Sequence, residues 1–208
     1  MHDKLSKNYD LIIIGDGIVS RFIQSRLHSK NIKILVIDSG NKKKGKRNKS
    51  LFNIKNKNHP NHHDINLYHL SGKGGTSLSW GGRLANYSTF EHENVKRDYW
   101  NEVIGSKGFY REALDFFGIS NTSMGINWRV NEDHYFSYRM QQEFFSPIRF
   151  HKKQQFQEID YLYNSTVKRF KNTLDGSYVI LKNGFSFKYK KLIIACNAIQ
   201  STKLIHNS

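Results

Sequence analysis

Residues 9–40 read YDLIIIGDGIVSRFIQSRLHSKNIKILVIDSG. Residues 9–14 form an apolar, β-branched run broken only by Asp10, the pattern of a strand buried on both faces. The run ends in Gly15-Asp16-Gly17. A helical pattern follows, with Ile18, Phe22, Ile23 and Leu27 recurring on one face. Residues 32–37 read as a second buried strand, closed by Asp38, Ser39 and Gly40. The segment is therefore a strand–turn–helix–strand unit, which predicts a parallel α/β sheet.

In this context GDGIVS, residues 15–20, has the mechanics of a dinucleotide-binding fingerprint. Gly15 permits the tight turn, and Gly17 lets a pyrophosphate approach the backbone at the helix N-terminus. Free N–H groups and the helix dipole favour anions there. The third position is Ser20 in place of glycine, still small enough for close packing of helix on strand. Asp38 ends the second strand, where a carboxylate accepts hydrogen bonds from a ribose. The alternative is a glycine turn in an α/β protein that binds nothing. The unit alone does not separate NAD from FAD.

Two further segments extend the reading. Residues 72–88, GKGGTSLSWGGRLANYS, pack glycines, hydroxyl residues and a tryptophan into one loop. Residues 164–208 hold strand-like runs at 166–171, 178–181 and 185–189, with the turn dipeptides Asp175-Gly176 and Asn183-Gly184 between them. A separate apolar run at 192–196 reads as another buried parallel strand, leading through Asn197 into a helix.

Taken together, GDGIVS at 15–20, GGTSLSWGG at 74–82 and ACNAIQSTKLIHNS at 195–208 resemble the glucose–methanol–choline (GMC) family of FAD-dependent oxidoreductases. The resemblance covers most of the chain and is least clear at 41–65 and 90–155. It implies a Rossmann-like α/β FAD-binding domain over residues 1–208, with a parallel sheet and a small antiparallel β-meander. The segment at 41–65 is then a basic loop and that at 90–155 a helical, aromatic-rich excursion. In the family, the loop matched by Gly74, Gly75, Thr76, Ser77, Trp80 and Gly81 lies along the FAD. Its glycines let the main chain reach the cofactor, and its hydroxyls supply hydrogen bonds. Trp80 either covers an apolar surface near the flavin ring or plugs the core. Val167 matches a position whose backbone meets the adenine. Asn197 stands where the family usually has glycine. Ser79 replaces the histidine that tethers flavin in some relatives, so the resemblance implies non-covalent FAD.

The resemblance also implies hydride transfer from a CH–OH group of an alcohol or sugar to flavin. The family's substrate domain and catalytic histidine pair lie beyond the late turn. None of the ten histidines here sits in a matching motif, so no catalytic residue is assigned. The expectation is a chain that acts only when completed, with a separately encoded C-terminal half as a partner. The alternative is a truncated or split-gene product, inactive alone.

Composition bounds the remaining classes. The chain has 208 residues, 38% hydrophobic and 13% aromatic, enough for a sizeable core. No apolar run approaches the roughly 20 residues of a membrane span. A single cysteine, Cys196, fits a reducing compartment and reads as a small hydrophobe. The expectation is a soluble, cytoplasmic protein. Lys and Arg number 33 against 17 acidic residues, a formal charge of +16. The densest basic block, residues 41–58, carries no nucleic-acid-binding motif and reads as a solvated loop, so no nucleic-acid partner is expected. The cluster HPNHHD at 59–64 matches no zinc spacing, so no metal site is assigned.

Overall fold

The computed structural model describes residues 8–42, 70–78, 112, 115–116, 126–130, 136–140 and 156–208. The chain divides into two units, Met1–Trp80 with Arg149–Ser208, and Gly81–Ile148. The basic block and the histidine cluster lie almost wholly outside the described residues.

The first unit is built on the run that opens the sequence. Strand β1 (Asn8–Ile14) leads into helix α1 (Ile18–Leu27) and then β2 (Ile34–Ile37). β1 and β2 pair in parallel, with Ile13 opposite Val36. Ile12, Ile13, Leu35 and Ile37 are fully buried, as continuous apolar strands at the centre of a covered sheet must be. Ile12 and Ile14 pack in one cluster with Leu35, Ile37 and Leu204. Leu11 and Ile13 pack in the other with Ile34, Val36 and, from α1, Ile23 and Leu27.

The second unit is described by itself. It contains an antiparallel pair, β3 (Ile126–Val130) with β4 (Phe136–Met140), and helical residues at 112 and 115–116.

The remaining strands return to the first unit. β5 (Ile159–Leu162) joins β2 in parallel. β6 (Val167–Thr173), β7 (Gly176–Leu181) and β8 (Ser186–Ile194) form an antiparallel meander, and α2 (Ala198–His206) follows. The six strands run β5-β2-β1-β8-β7-β6. This is the Rossmann-like α/β architecture expected, with parallel pairing from β5 to β8 and the meander at one side.

Two expectations need correction. The runs at 185–189 and 192–196 are one strand, β8. It pairs with β7 through Ser186–Tyr189 residues on one side and with β1 from Lys188 to Ile194 on the other. Lys190 and Lys191 interrupt the apolar pattern but not the backbone ladder. Both are exposed, and the Lys190 ammonium lies 2.7 Å from the Asp10 carboxylate. The buried face of α1 is also different. Ser20, Arg21 and Gln24 are its buried residues, while Ile18, Phe22, Ile23 and Leu27 are half-buried.

Candidate functional site

β1, α1 and β2 run to one side of the sheet, while β8 flanks β1 on the other. The C-terminal ends of β1 and β8 therefore border a topological switch point, where ligands of open α/β sheets bind. A cavity of about 440 Å³ opens there. Among the residues that line it are Gly15, Gly17, Asp38, Thr76, Val167 and Asn197.

Gly15 makes the turn at the end of β1. Its φ is +100°, and a Cβ there would stand 2.6 Å from the Ala195 carbonyl oxygen, so only glycine fits. Gly17 differs. Its backbone is extended (φ −81°, ψ −173°), and a Cβ would meet nothing within 4 Å. Gly17 is the N-cap of α1, no side chain caps that end, and the first turn carries no acidic residue. The first-turn N–H groups and the positive end of the helix dipole are thus left to the cavity, an arrangement that suits an anion. Ser20 is fully buried and its hydroxyl accepts from Gln24 Nε2 at 2.8 Å.

Asp38 is 8% exposed and its carboxylate ties three backbone segments together. Oδ2 accepts from the Asp16 N–H at 2.9 Å, and Oδ1 from the Gly40 and Gly72 N–H groups at 2.7 Å each. A carboxylate has about four lone-pair positions, so these three donors leave room for one more, and Asp38 also lines the cavity.

The glycine loop docks onto these turns. A Cβ on Gly40 would lie 2.2 Å from the Gly72 nitrogen, so two backbones meet where no side chain fits. The Gly74 N–H donates to the Asp16 carbonyl at 2.9 Å, and the Gly75 N–H to the Gly72 carbonyl at 2.8 Å. These two N–H groups therefore bind protein, and the cavity receives Gly75 and Thr76 as wall. Thr76 Oγ1 accepts from the Leu70 N–H at 3.2 Å. Gly74 is not among the lining residues. Ser77 continues the chain in a short 3-10 turn, Gly75–Leu78. Ser79, Trp80 and Gly81 lie outside the described residues.

The far wall comes from the C-terminal segment. Val167 begins β6, and Lys168, Lys182 and Lys203 also line the cavity, which adds positive potential. Asn197 holds φ +68° and ψ 167°, and its Oδ1 accepts from the Gln200 N–H at 3.1 Å, capping α2. Its side chain is thereby drawn onto the helix end. Cys196 lines the cavity beside it. Burial pushes its thiol up, which fits a packing residue better than a nucleophile.

A cluster that sequence reasoning missed lies against the glycine turn. Asp16 is fully buried and pairs with the Arg21 guanidinium. Tyr163 Oη donates to Asp16 Oδ2 at 2.6 Å, and Gln24 Nε2 donates to Oδ1 at 3.1 Å. Tyr161 Oη donates to Gln24 Oε1 at 2.7 Å. Burial raises the Asp16 carboxyl against the pull of Arg21, and burial followed by Asp16 holds Tyr163 far above the usual phenol range. The signal was present in the four-residue spacing of Asp16, Ser20 and Gln24, a polar stripe on the helix face that turned inward. Among the described residues no group of three metal-ligating side chains occurs, and no helix is long and apolar enough to cross a membrane.

No protein-family model matches the sequence, and no curated protein does. Solved structures do match. Pyridoxine 4-oxidase from Mesorbium loti has a TM-score of 0.51 at 12% identity, over 95% of this chain and 51% of that one. NikD, an unusual amino acid oxidase essential for nikkomycin biosynthesis, has a TM-score of 0.46 at 10% identity, over 92% of this chain and 52% of that one. Glycine oxidase from Geobacillus kaustophilus has 0.43 at 11%, over 97% and 58%. The chain thus spans 51% to 58% of the length of these structures. The likeness to pyridoxine 4-oxidase supports the fold class, a Rossmann-like α/β domain.

Proposed function

We propose that this chain is the FAD-binding portion of an oxidoreductase. The observation that carries the reading is the cavity at the switch point, where α1 presents an uncapped N-terminus and Gly17 faces open space. Gly15 and Gly17 admit the diphosphate to the helix end, and Ser20 lets the helix pack close. Asp38 offers its remaining lone pair to the adenosine ribose, and Val167 borders the adenine. Gly74 anchors the glycine loop and Gly75 and Thr76 wall the cavity, while Ser77, Trp80 and Gly81 are assigned to the FAD by the family resemblance of residues 74–82 alone. Asn197 closes the site from α2. FAD, when bound, supplies a hydride acceptor.

The finer reading is a GMC-type enzyme that oxidises a CH–OH group of a sugar or other alcohol. The resemblance of residues 74–82 and 195–208 to the family's motifs supports it, and no residue of this chain is assigned as the base. Attachment of FAD is non-covalent, since Ser79 stands at the tether position. Acid precipitation of FAD-loaded protein is expected to release a yellow supernatant with flavin absorbance. Colour held on the pellet contradicts the non-covalent reading, and failure to retain any FAD at micromolar concentrations contradicts the function.

A further inference from the structure

The glycine turn carries a carboxylic acid at the place least suited to one. Asp16 stands between Gly15 and Gly17 and also lines the cavity. If a diphosphate binds at the N-terminus of α1, an uncompensated carboxylate within the same turn would repel it, and strongly so in a buried setting.

The structure compensates that charge. Arg21 is 3% exposed and sits one turn along α1, where its own N–H donates to the Gly17 carbonyl at 3.0 Å. Its guanidinium pairs with Asp16 Oδ2 and lies over the Tyr161 ring, 5.4 Å from the centroid. The other groups that act on Asp16 come from every element around it. Tyr163, just beyond β5, and Gln24 on α1 donate to the carboxylate. Asp38 at the end of β2 opposes its ionisation, and in the glycine loop burial, then Arg21, lower the Lys73 ammonium against the weaker pull of Asp16. Arg21 is the cation in direct contact with the carboxylate.

We infer that Arg21 determines whether the glycine turn tolerates an anion, by cancelling the charge of Asp16 beside the diphosphate position. The inference rests on the nucleotide reading above. It makes Arg21 a positioning and charge-setting residue that touches no ligand. A merely mechanical bolt between turn, helix and β5 is the competing account, and the two differ in the sign of their effects.

The test is the ratio of affinities for ADP and adenosine, measured by calorimetry on the full chain. Adenosine lacks the diphosphate and serves as the internal reference. Arg21→Met leaves the turn negative and is expected to lower the preference for ADP about tenfold, the scale of one nearby charge at an intermediate dielectric. Asp16→Asn preserves shape and leaves the turn positive, so it is expected to raise the same preference by a comparable factor. The double variant is expected to return within about threefold of the wild type, as compensating charges should. A mechanical bolt predicts instead that all three variants weaken ADP and adenosine alike, and that result overturns the inference. Should Arg21→Met fail to fold, Asp16→Asn decides alone, and an unchanged or reduced preference overturns it. Wild-type chain that binds neither ADP nor FAD overturns the nucleotide reading itself, an outcome that needs no variant to recognise.

Discussion

At the scale of single residues, Asn197 and Asp38 each do structural work beside the site role proposed for them. Asn197 sits at φ +68°, ψ 167°, a region that is essentially reserved for glycine and costs on the order of 1–3 kcal/mol for other residues. Its side chain offsets part of that cost by capping α2. Glycine is nearly as good a cap, within a few tenths of a kcal/mol. Asn197→Gly is therefore expected to stabilise the fold by about 1–2 kcal/mol, read as a higher denaturation midpoint with an unchanged slope. A lower midpoint would show that the cap outweighs the strain. Asp38 was legible as the acid that ends β2, because the pattern of apolar run followed by Asp-Ser-Gly marks a strand end. Its three N–H partners were not legible, since Gly72 is brought to it only by tertiary folding. Asp38→Ala leaves three buried N–H groups without their acceptor, each worth about 1–3 kcal/mol before relaxation. The expected outcome is a clear loss of thermal stability without any ligand present. An acid that served only a ribose would leave the melting of the free chain unchanged.

At the scale of elements, the unit β1–α1–β2 was readable because two short aliphatic runs, 11–14 and 34–37, flank a glycine turn and a helical pattern. The hairpins were readable too, since Gly176 (φ +130°) and Gly184 (φ +91°) adopt conformations that demand glycine. β8 was not, because Lys190 and Lys191 break the apolar run while their exposed side chains leave the ladder intact. β5 has four residues and no run that periodicity could single out. The buried face of α1 was hidden for a different reason. Its polar residues meet Asp16, Tyr161 and Tyr163, partners from the turn, from β5 and from just beyond it, which the four-residue polar spacing on the helix hints at but does not name. The N-terminus of α1 offers the cleanest element-scale test. Gly17 has an extended backbone any residue adopts, and space for a Cβ. Serine there supplies a hydroxyl that bonds the first-turn N–H groups an anion would use. Gly17→Ser is expected to leave the free fold as stable or slightly more so, while weakening FAD at least tenfold, the loss of about one charge-assisted hydrogen bond. Equal or tighter FAD binding would remove the helix end from the site.

At the scale of the whole molecule, the cavity is assembled from segments that only the complete sheet brings together. Gly15 and Gly17 come from the first turn, Asp38 from the second strand end, Thr76 from the glycine loop, Val167 from β6 and Asn197 from the turn between β8 and α2. A ligand that touches all of them binds the folded unit and not the unfolded chain, so its binding free energy adds to the stability of that unit. At free FAD a hundredfold above its dissociation constant, the gain is about 2.7 kcal/mol. For a domain of this size that corresponds to a rise of roughly 5–11 °C in melting temperature. The adenosine end of the dinucleotide meets Asp38 and Val167 on this reading, while the diphosphate meets α1 and the rim lysines Lys168, Lys182 and Lys203. FMN carries the flavin and one phosphate but no adenosine, so at equal concentration its shift should be much smaller. ADP, which carries the other half, should recover most of the FAD effect. Differential scanning of the free chain with each ligand separates these outcomes. An FMN shift equal to that of FAD would move the recognition to the flavin end. No shift with FAD at millimolar concentration would leave the cavity without the ligand its geometry favours.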